Sequence, residues 1–535
     1  MKIAFYGAAH EVTGSCTVIF TGNKTIMVDC GMEQGPDTYE NCNLPVLPSQ
    51  IDYILLTHAH IDHSGKIPAM TANGFKGHIY STVATENLCK IMLLDSAHIQ
   101  ESEARWRNRK AKRSGDDIYT PLYTADDVTK TMKQFVGCDY DKEYSLCEDI
   151  KIKFIDAGHL LGSSSISIEI EEFGQKETIV FSGDLGNTKR PLIRDPGQPQ
   201  KADYVVIEST YGNRLHPERP DYVSQLTQII QQTFDRGGNV VIPSFAIGRT
   251  QELLYLIRII KEQNLVSGHK NFPVYVDSPL AVEATEIYSS DLYDYFDEET
   301  LDLLEKGINP IKFPGLTLSV TSDDSVRINL DKTPKIIISA SGMCEAGRIR
   351  HHLKHNLWRK ESTVLFVGYQ AVGTLGRIIT EGATKIKLFG EEIQVNAQIE
   401  QLEGISGHAD RDMLVNWLNG FTHKPKTVFV NHGSDTVCDE FAEHITDKLS
   451  LFATAPYNGA EYDLISGACL KKGNSSRIIK HHTSSGSVRE SSAFKRLQTA
   501  CRQLQSVVEQ YRECANKDIA KFADQIISLC DKWKR

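Results

Sequence analysis

The chain has 535 residues, more than one hydrophobic core supports, since cores stop growing at roughly 250–300 residues. Hydrophobic residues make up 40% and charged residues 24%, a balance that excludes a disordered chain. A formal net charge of −10 excludes a protein that coats nucleic acid by bulk charge, so any polyanion must be met by a local basic groove or by metal ions.

The chain opens on what reads as a strand, Lys2 to Tyr6, rather than on a secretory leader. No apolar run approaches the ~20 residues that span a bilayer, and the twelve cysteines show no CxxC pair. The expectation is a cytoplasmic protein with reduced thiols and no membrane contact. Further apolar runs that end abruptly in polar residues predict strands at Lys24–Asp29, Asp52–Thr57, Ile150–Ile155, Ser165–Ile170, Thr178–Phe181 and Tyr204–Ile207. A helix is predicted over Thr85–Arg109. From Ser209 the rhythm changes to strand–helix alternation, with helices at Tyr222–Phe234 and Thr250–Gln263 and strands at Asn239–Ile242, Val274–Val276, Lys335–Ser339 and Thr363–Val367. That alternation predicts a parallel sheet. Near Lys385 the first style returns, with strands at Ile386–Leu388, Ile393–Ile399 and Thr427–Val430. Gly473 to Ser492 reads as a Ser- and Gly-rich linker. Two helices follow it, marked by Phe494, Leu497, Cys501, Leu504 and Val508 and by Ile519, Phe522, Ile526, Leu529 and Trp533. They read as a hairpin on their own domain or as a homodimer contact.

The strongest chemical signal is Thr57-His58-Ala59-His60-Ile61-Asp62-His63, at the end of a predicted strand. Imidazole and carboxylate are the ligands of catalytic zinc. One small tetrahedral site cannot easily take four ligands from so short a loop, so the spacing suggests two metals, with His58 and His60 on one and Asp62 and His63 on the other. A solvated polar loop would not need three histidines and an aspartate in this order. His159, Asp184 and His432 are candidates to complete the sites, each a single polar residue just past a predicted strand. A lone histidine there is more often structural, but the shared placement puts all three on one sheet edge.

With these residues assembled, the chain resembles the metallo-β-lactamase superfamily and, more narrowly, its β-CASP nucleases, over about residues 1 to 465. The resemblance implies an α/β protein, a four-layer αββα metallo-β-lactamase fold with an inserted α/β β-CASP domain. The first part of the metallo-β-lactamase domain would be 1–208, the cap 209–380, the second part 381–465, and linker and C-terminal helices 466–535. It implies two Zn²⁺ per chain. His58, His60, His159 and Asp184 would hold one, and Asp62, His63, Asp184 and His432 the other, with Asp184 bridging. Asp29 would orient the histidine loop. Glu208, in Ile207-Glu208-Ser209-Thr210-Tyr211-Gly212, matches the first β-CASP motif; His408, in Ser406-Gly407-His408-Ala409-Asp410, the second; His432 the third.

The expected activity is hydrolysis of single-stranded RNA, endonucleolytic, 5′-to-3′ exonucleolytic or both, leaving 3′-hydroxyl and 5′-phosphate. Glu208, His408 and Asp62 are the catalytic candidates, with His408 as general acid because imidazole titrates near neutrality. Glycine-rich turns after cap strands offer amides and arginines to phosphates, with Ser244, Arg249, Ser341 and Arg348 as candidates. The basic run Arg105 to Arg113 reads equally as RNA path or solvated helix end. Rival readings are a hydrolase of a small ester, thioester or lactam, and a non-catalytic RNA-binding subunit. A small substrate needs no long cap groove, and a complete ligand set argues against a scaffold.

Overall fold

Two sheets lie face to face because their strands carry apolar residues on alternate positions. Ile3 and Phe5 of Lys2–Gly7, Ile26 and Val28 of Lys24–Val28, and Phe154 of Ile150–Asp156 point between the sheets and are fully or almost fully buried there. The residues between them, such as Ala4, Met27 and Ile54, face outward onto helices that contribute Met70, Leu88 and Leu93. On the far side, Val205, Ile207, Val428 and Val430 pack on Leu414, Trp417, Phe441 and Ile445 of the helices Arg411–Asn419 and Asp435–Leu449. Both sheets are therefore covered on both faces, which gives the four-layer αββα sandwich. The computed structural model describes residues 1–478 except 23, 36–38, 40, 45, 115–116 and 403, and then 500–501, 504–505, 507–508 and 516–533.

The first sheet has eight strands, with Lys24–Val28, Tyr53–Leu55, His78–Thr82 and Phe135–Cys138 parallel in that order. The second has seven, among them Gln175–Phe181, Tyr204–Glu208 and Thr427–Asn431, also parallel to one another. Parallel neighbours end on the same edge, and that edge carries the polar residues read from the sequence.

The cap is a six-stranded sheet in which every pairing is parallel. Its inner strands Val240–Pro243, Ile336–Ser339 and Thr363–Val367 are buried along their whole length, as parallel strands under helices must be. The pairing of the cap sheet continues past residue 380. Gln398–Leu402 pairs with Thr363–Val367 and belongs to the cap sheet, and the hairpin Lys385–Leu388/Glu391–Gln394 packs its Ile386 and Leu388 into the cap core. The predicted strand Ile393–Ile399 is thus two strands in two sheets, broken where Asn396 and Ala397 give their amides to the Leu357 carbonyl. Periodicity registers the alternation of a strand but not which sheet receives it.

Asp277 has no solvent exposure and holds the cap together. One carboxylate oxygen accepts from Arg348 at 2.6 Å and the other lies 2.7 Å from His352 Nε2. His352 is buried here. Burial opposes the charge, but the bonds from His352, Ser325 and Arg348 hold the carboxyl down at about 2. Asp277→Ala takes the acceptor from the Arg348 guanidinium and the buried His352 ring and is expected to destabilise the cap by about 3–5 kcal/mol, read as a fall in thermal midpoint. In the wild type this contribution is complete above the ordinary carboxylate range and fades as pH falls through about 2.

Among the described residues no helix is long and apolar enough to cross a membrane. The C-terminal helix Asn516–Trp533 forms as its periodicity predicts. His481, His482, Phe494, Leu497 and most of the predicted linker lie outside the described residues.

Candidate metal centre and active site

The strand Tyr53–Leu55 ends three residues before His58, and a one-turn helix, Ile61–Ser64, turns the chain so that His58, His60, Asp62 and His63 face a common space. His159 arrives from the turn after Ile150–Asp156, Asp184 from the loop after Gln175–Phe181, and His432 from the end of Thr427–Asn431. The backbone at Asp29 and His432 has φ of 58° and 51°. Non-glycine residues adopt this left-handed region at a cost, and such strain clusters at functional sites.

Two adjoining nests of ligand atoms result. His58, His60, His159 and Asp184 form one, and Asp62, His63 and His432 the other. His58 Nε2 lies 3.1 Å from His60 Nδ1, His159 Nε2 lies 3.3 Å from the same atom, and His63 Nε2 lies 3.1 Å from His432 Nε2. The edge of a zinc tetrahedron with bonds of ~2.0–2.1 Å is about 3.3 Å. Asp184 stands between the nests, with Oδ2 3.4 Å from His58 Nε2 and Oδ1 3.3 Å from His63 Nε2. Oδ1 is buried without a hydrogen-bond partner, a costly state for a carboxylate oxygen unless a cation meets it. The donor set fits two metal ions that share Asp184.

Protonation suits that role. Burial keeps His58 and His159 well below the usual histidine range, and His60 lower too. Burial works against charge on Asp62 and Asp184 as well, but the surrounding imidazoles override it. Asp62 is held at about 2 and Asp184 well below the usual carboxylate range. Those five groups are in the deprotonated form a metal ligand needs; on His63 and His432 burial is outweighed by Asp184 with Asp29 and Asp62, which raise both above the usual histidine range, so a metal there would displace their protons.

A supporting shell aims the ligands. Asp29 Oδ2 lies 2.7 Å from His63 Nδ1, which turns Nε2 inward, and Oδ1 accepts the Thr57 amide at 2.9 Å. Thr57 Oγ1 contacts His58 Nδ1 at 3.1 Å, the Gly407 carbonyl meets His159 Nδ1 at 3.1 Å, and Thr210 Oγ1 meets His432 Nδ1 at 3.2 Å. Asp29→Asn is expected to weaken metal affinity by roughly 10–100-fold with the fold intact, read by metal titration of the stripped protein.

His408 lies beside the nests, its ring 4.5 Å from that of His159. Its Nδ1 is 3.2 Å from Glu208 Oε1. Glu208 is buried at the end of its strand and accepts the Leu185 amide at 2.6 Å and the Thr210 amide at 3.3 Å. Burial disfavours the imidazolium, but Glu208, with Asp184 and Asp62 behind it, pushes His408 up to about 9.

The four phosphate-binding candidates all have partners within the chain. Ser244 is buried and bonds Thr250 and the Phe245 carbonyl. Ser341 closes its own turn onto Ala346. Arg249 is paired with Glu252 and gives a bond to the Ile405 carbonyl, and Arg348 is paired with Asp277. A strand-to-helix glycine turn signals exposed amides, but not where the neighbouring side chains spend their donors. The basic run lies on the last turns of the 32-residue helix Val83–Ser114, where Arg107 pairs with Glu103 and lies over Tyr119, and Lys110 lies over Trp106.

Sequence reasoning missed a buried network beneath the His408 loop. Glu252 pairs with both Arg190 and Arg249, and Arg190 bonds the His159 carbonyl at 2.6 Å and that of Gly407 at 3.2 Å. Nothing in the sequence links residues so far apart.

Fold and site together define a metal-dependent hydrolase of metallo-β-lactamase architecture. Residues 11–243 match the metallo-beta-lactamase superfamily, 250–379 the Beta-Casp domain, and 392–456 a Zn-dependent metallo-hydrolase RNA specificity domain. The chain is 34% identical over 438 residues to Ribonuclease TTHA0252 of Thermus thermophilus, covering 81% of this chain and 94% of that protein. It is 32% identical over 463 residues to an RNase J-like protein of Methanocaldococcus jannaschii, covering 85% and 98%. It is 31% identical over 473 residues to transcription termination factor FttA of Methanosarcina mazei, covering 86% and 71%. The chain belongs to the β-CASP family of the metallo-β-lactamase superfamily.

Proposed function

We propose that this chain is a two-zinc ribonuclease that hydrolyses single-stranded RNA and leaves 3′-hydroxyl and 5′-phosphate ends. One observation carries the reading: two adjoining ligand nests lie beside a histidine–glutamate pair at the foot of a large cap. That a ribonuclease and an RNase J-like protein are among its relatives supports RNA as the substrate.

His58, His60, His159 and Asp184 would hold one ion, and Asp62, His63, Asp184 and His432 the other. Bound zinc would supply Lewis-acid activation and neutralise charge on the phosphodiester. The chain's own residues do the rest. Glu208 fixes the His408 ring through Nδ1, which leaves Nε2–H to protonate the departing 3′-oxygen as the P–O3′ bond breaks. Asp29 and the Gly407 carbonyl keep His63 and His159 in the ligand tautomer.

Digestion of end-labelled single-stranded RNA, with metal analysis on the same preparation, tests the proposal. The expected result is two zinc ions per chain and products with 5′-phosphate, and the label pattern separates endonucleolytic from 5′-to-3′ exonucleolytic cutting. Turnover of a small ester or thioester with RNA left intact would overturn it. A cytoplasmic location belongs to the same proposal and rests on the scattered free thiols. So does a homodimer through Asn516–Trp533, where Leu529 and Trp533 are exposed; sedimentation at monomer mass would remove it.

A further inference from the structure

The arginines that a polyanion would be expected to meet in the cleft are already used: Arg190, Arg249 and Arg348 each face a carboxylate. Arg214 differs. Its side chain is exposed, and among the described residues its guanidinium has no hydrogen bond and no ion pair. Its backbone is pinned, since its amide bonds the Tyr211 carbonyl at 3.2 Å and its carbonyl accepts the Arg411 amide at 3.1 Å. The guanidinium stacks 3.8 Å over the Tyr211 ring and lies 5.9 Å from the Tyr369 ring. Tyr211 in turn meets the His408 ring edge-on at 5.9 Å. An unpaired cation therefore stands two rings away from the proposed general acid.

The rings beside it are open. Tyr369 is 52% exposed and Phe245 47%. Each lies two residues past the end of one of two adjacent parallel cap strands, Thr363–Val367 and Val240–Pro243. The Gly342 backbone joins them. It lies against the Phe245 ring, where an added Cβ would come within 3.0 Å, and its carbonyl accepts from Gln370 at 3.1 Å. Burying either ring within the cap would have been favourable; instead both stay about half exposed, Tyr369 within 5.9 Å of the Arg214 guanidinium.

We propose that Arg214, Tyr369 and Phe245 form a nucleotide subsite next to the scissile phosphate, with Arg214 on a phosphodiester and the two rings stacked on bases. It rests on the RNA reading above and adds to it the residues that seat the strand. Stacking on aromatic faces tolerates any base, so the subsite grips single-stranded RNA without reading its sequence.

The test is binding of a fluorescent 2′-O-methyl oligonucleotide across a salt series, with cleavage of its unmodified RNA counterpart run in parallel. Arg214→Ala is expected to weaken binding and to lower the slope of log affinity against log salt by roughly 0.7, one phosphate contact on a single strand. Tyr369→Ala and Phe245→Ala are expected to weaken binding by about fivefold to about 150-fold with the slope unchanged, and Tyr369→Phe to restore it. All four substitutions are at exposed side chains, so folding is not at stake. Unchanged affinity and slope in the alanine variants, with the wild type binding and cutting RNA, would overturn the subsite alone. A wild type that neither binds nor cuts RNA would instead overturn the RNA reading, and the subsite with it.

Discussion

His63→Ala is expected to lower RNA cleavage by ~10³-fold or more, a loss of ~4 kcal/mol of transition-state stabilisation, while RNA affinity stays close to that of the wild type. The asymmetry follows from position. His63 is buried, 2.7 Å from Asp29 on one side and 3.1 Å from His432 on the other. Removing it takes a donor from one nest and leaves Asp29 facing a gap. The exposed cations and rings of the cleft are untouched, so the strand should still bind. Metal analysis should show one ion lost or loosely held, and circular dichroism should show the fold retained. Asp184→Asn is the companion variant: it sits between both nests, so it should empty both. Full cleavage by either variant would defeat the two-metal mechanism.

His408→Ala is expected to keep both metal ions and still slow cleavage by ~10²–10⁴-fold, the range for losing a positioned general acid. Nδ1 of His408 is engaged with Glu208 Oε1, so the imidazole has one nitrogen left for the leaving group. The deficit should shrink on a nitrophenyl phosphodiester, whose leaving group departs without a proton. Glu208→Gln should fall between wild type and His408→Ala, because Glu208 acts through the His408 ring. If His408→Ala lost metal, the residue would be a ligand. If it lost the same factor on both substrates, protonation would not be its role.

The sequence carried the ligand chemistry with little help. His58, His60, Asp62 and His63 sit within six residues, so one strand end was enough to bring them together. His159, Asp184 and His432 were legible more weakly, each as a polar residue just past an apolar run. What made them partners was that their strands are parallel and end on one edge. Glu208 and His408 were visible only through the family resemblance, because residues 200 positions apart carry no local pattern that joins them.

The cap shows where such reading stops. Strand–helix alternation announced a parallel sheet, and one formed. Yet alternation is blind to pairing, and Gln398–Leu402 went to the cap rather than back to the sandwich. The same limit hid the partners of Arg249 and Arg348. They stand beside glycine turns as read, but Glu252 and Asp277 face their donors, while Arg214 has no ion pair among the described residues.

By itself, then, the order of residues determined which side chains could bind metal and which stretches would be strand or helix, since both follow from chemistry and periodicity within a few residues. Tertiary structure alone decided which strand ends meet, where the cap sheet begins and ends, and which arginines find a carboxylate. Those outcomes depend on contacts between segments far apart in the chain, and such contacts leave no periodic trace in either partner.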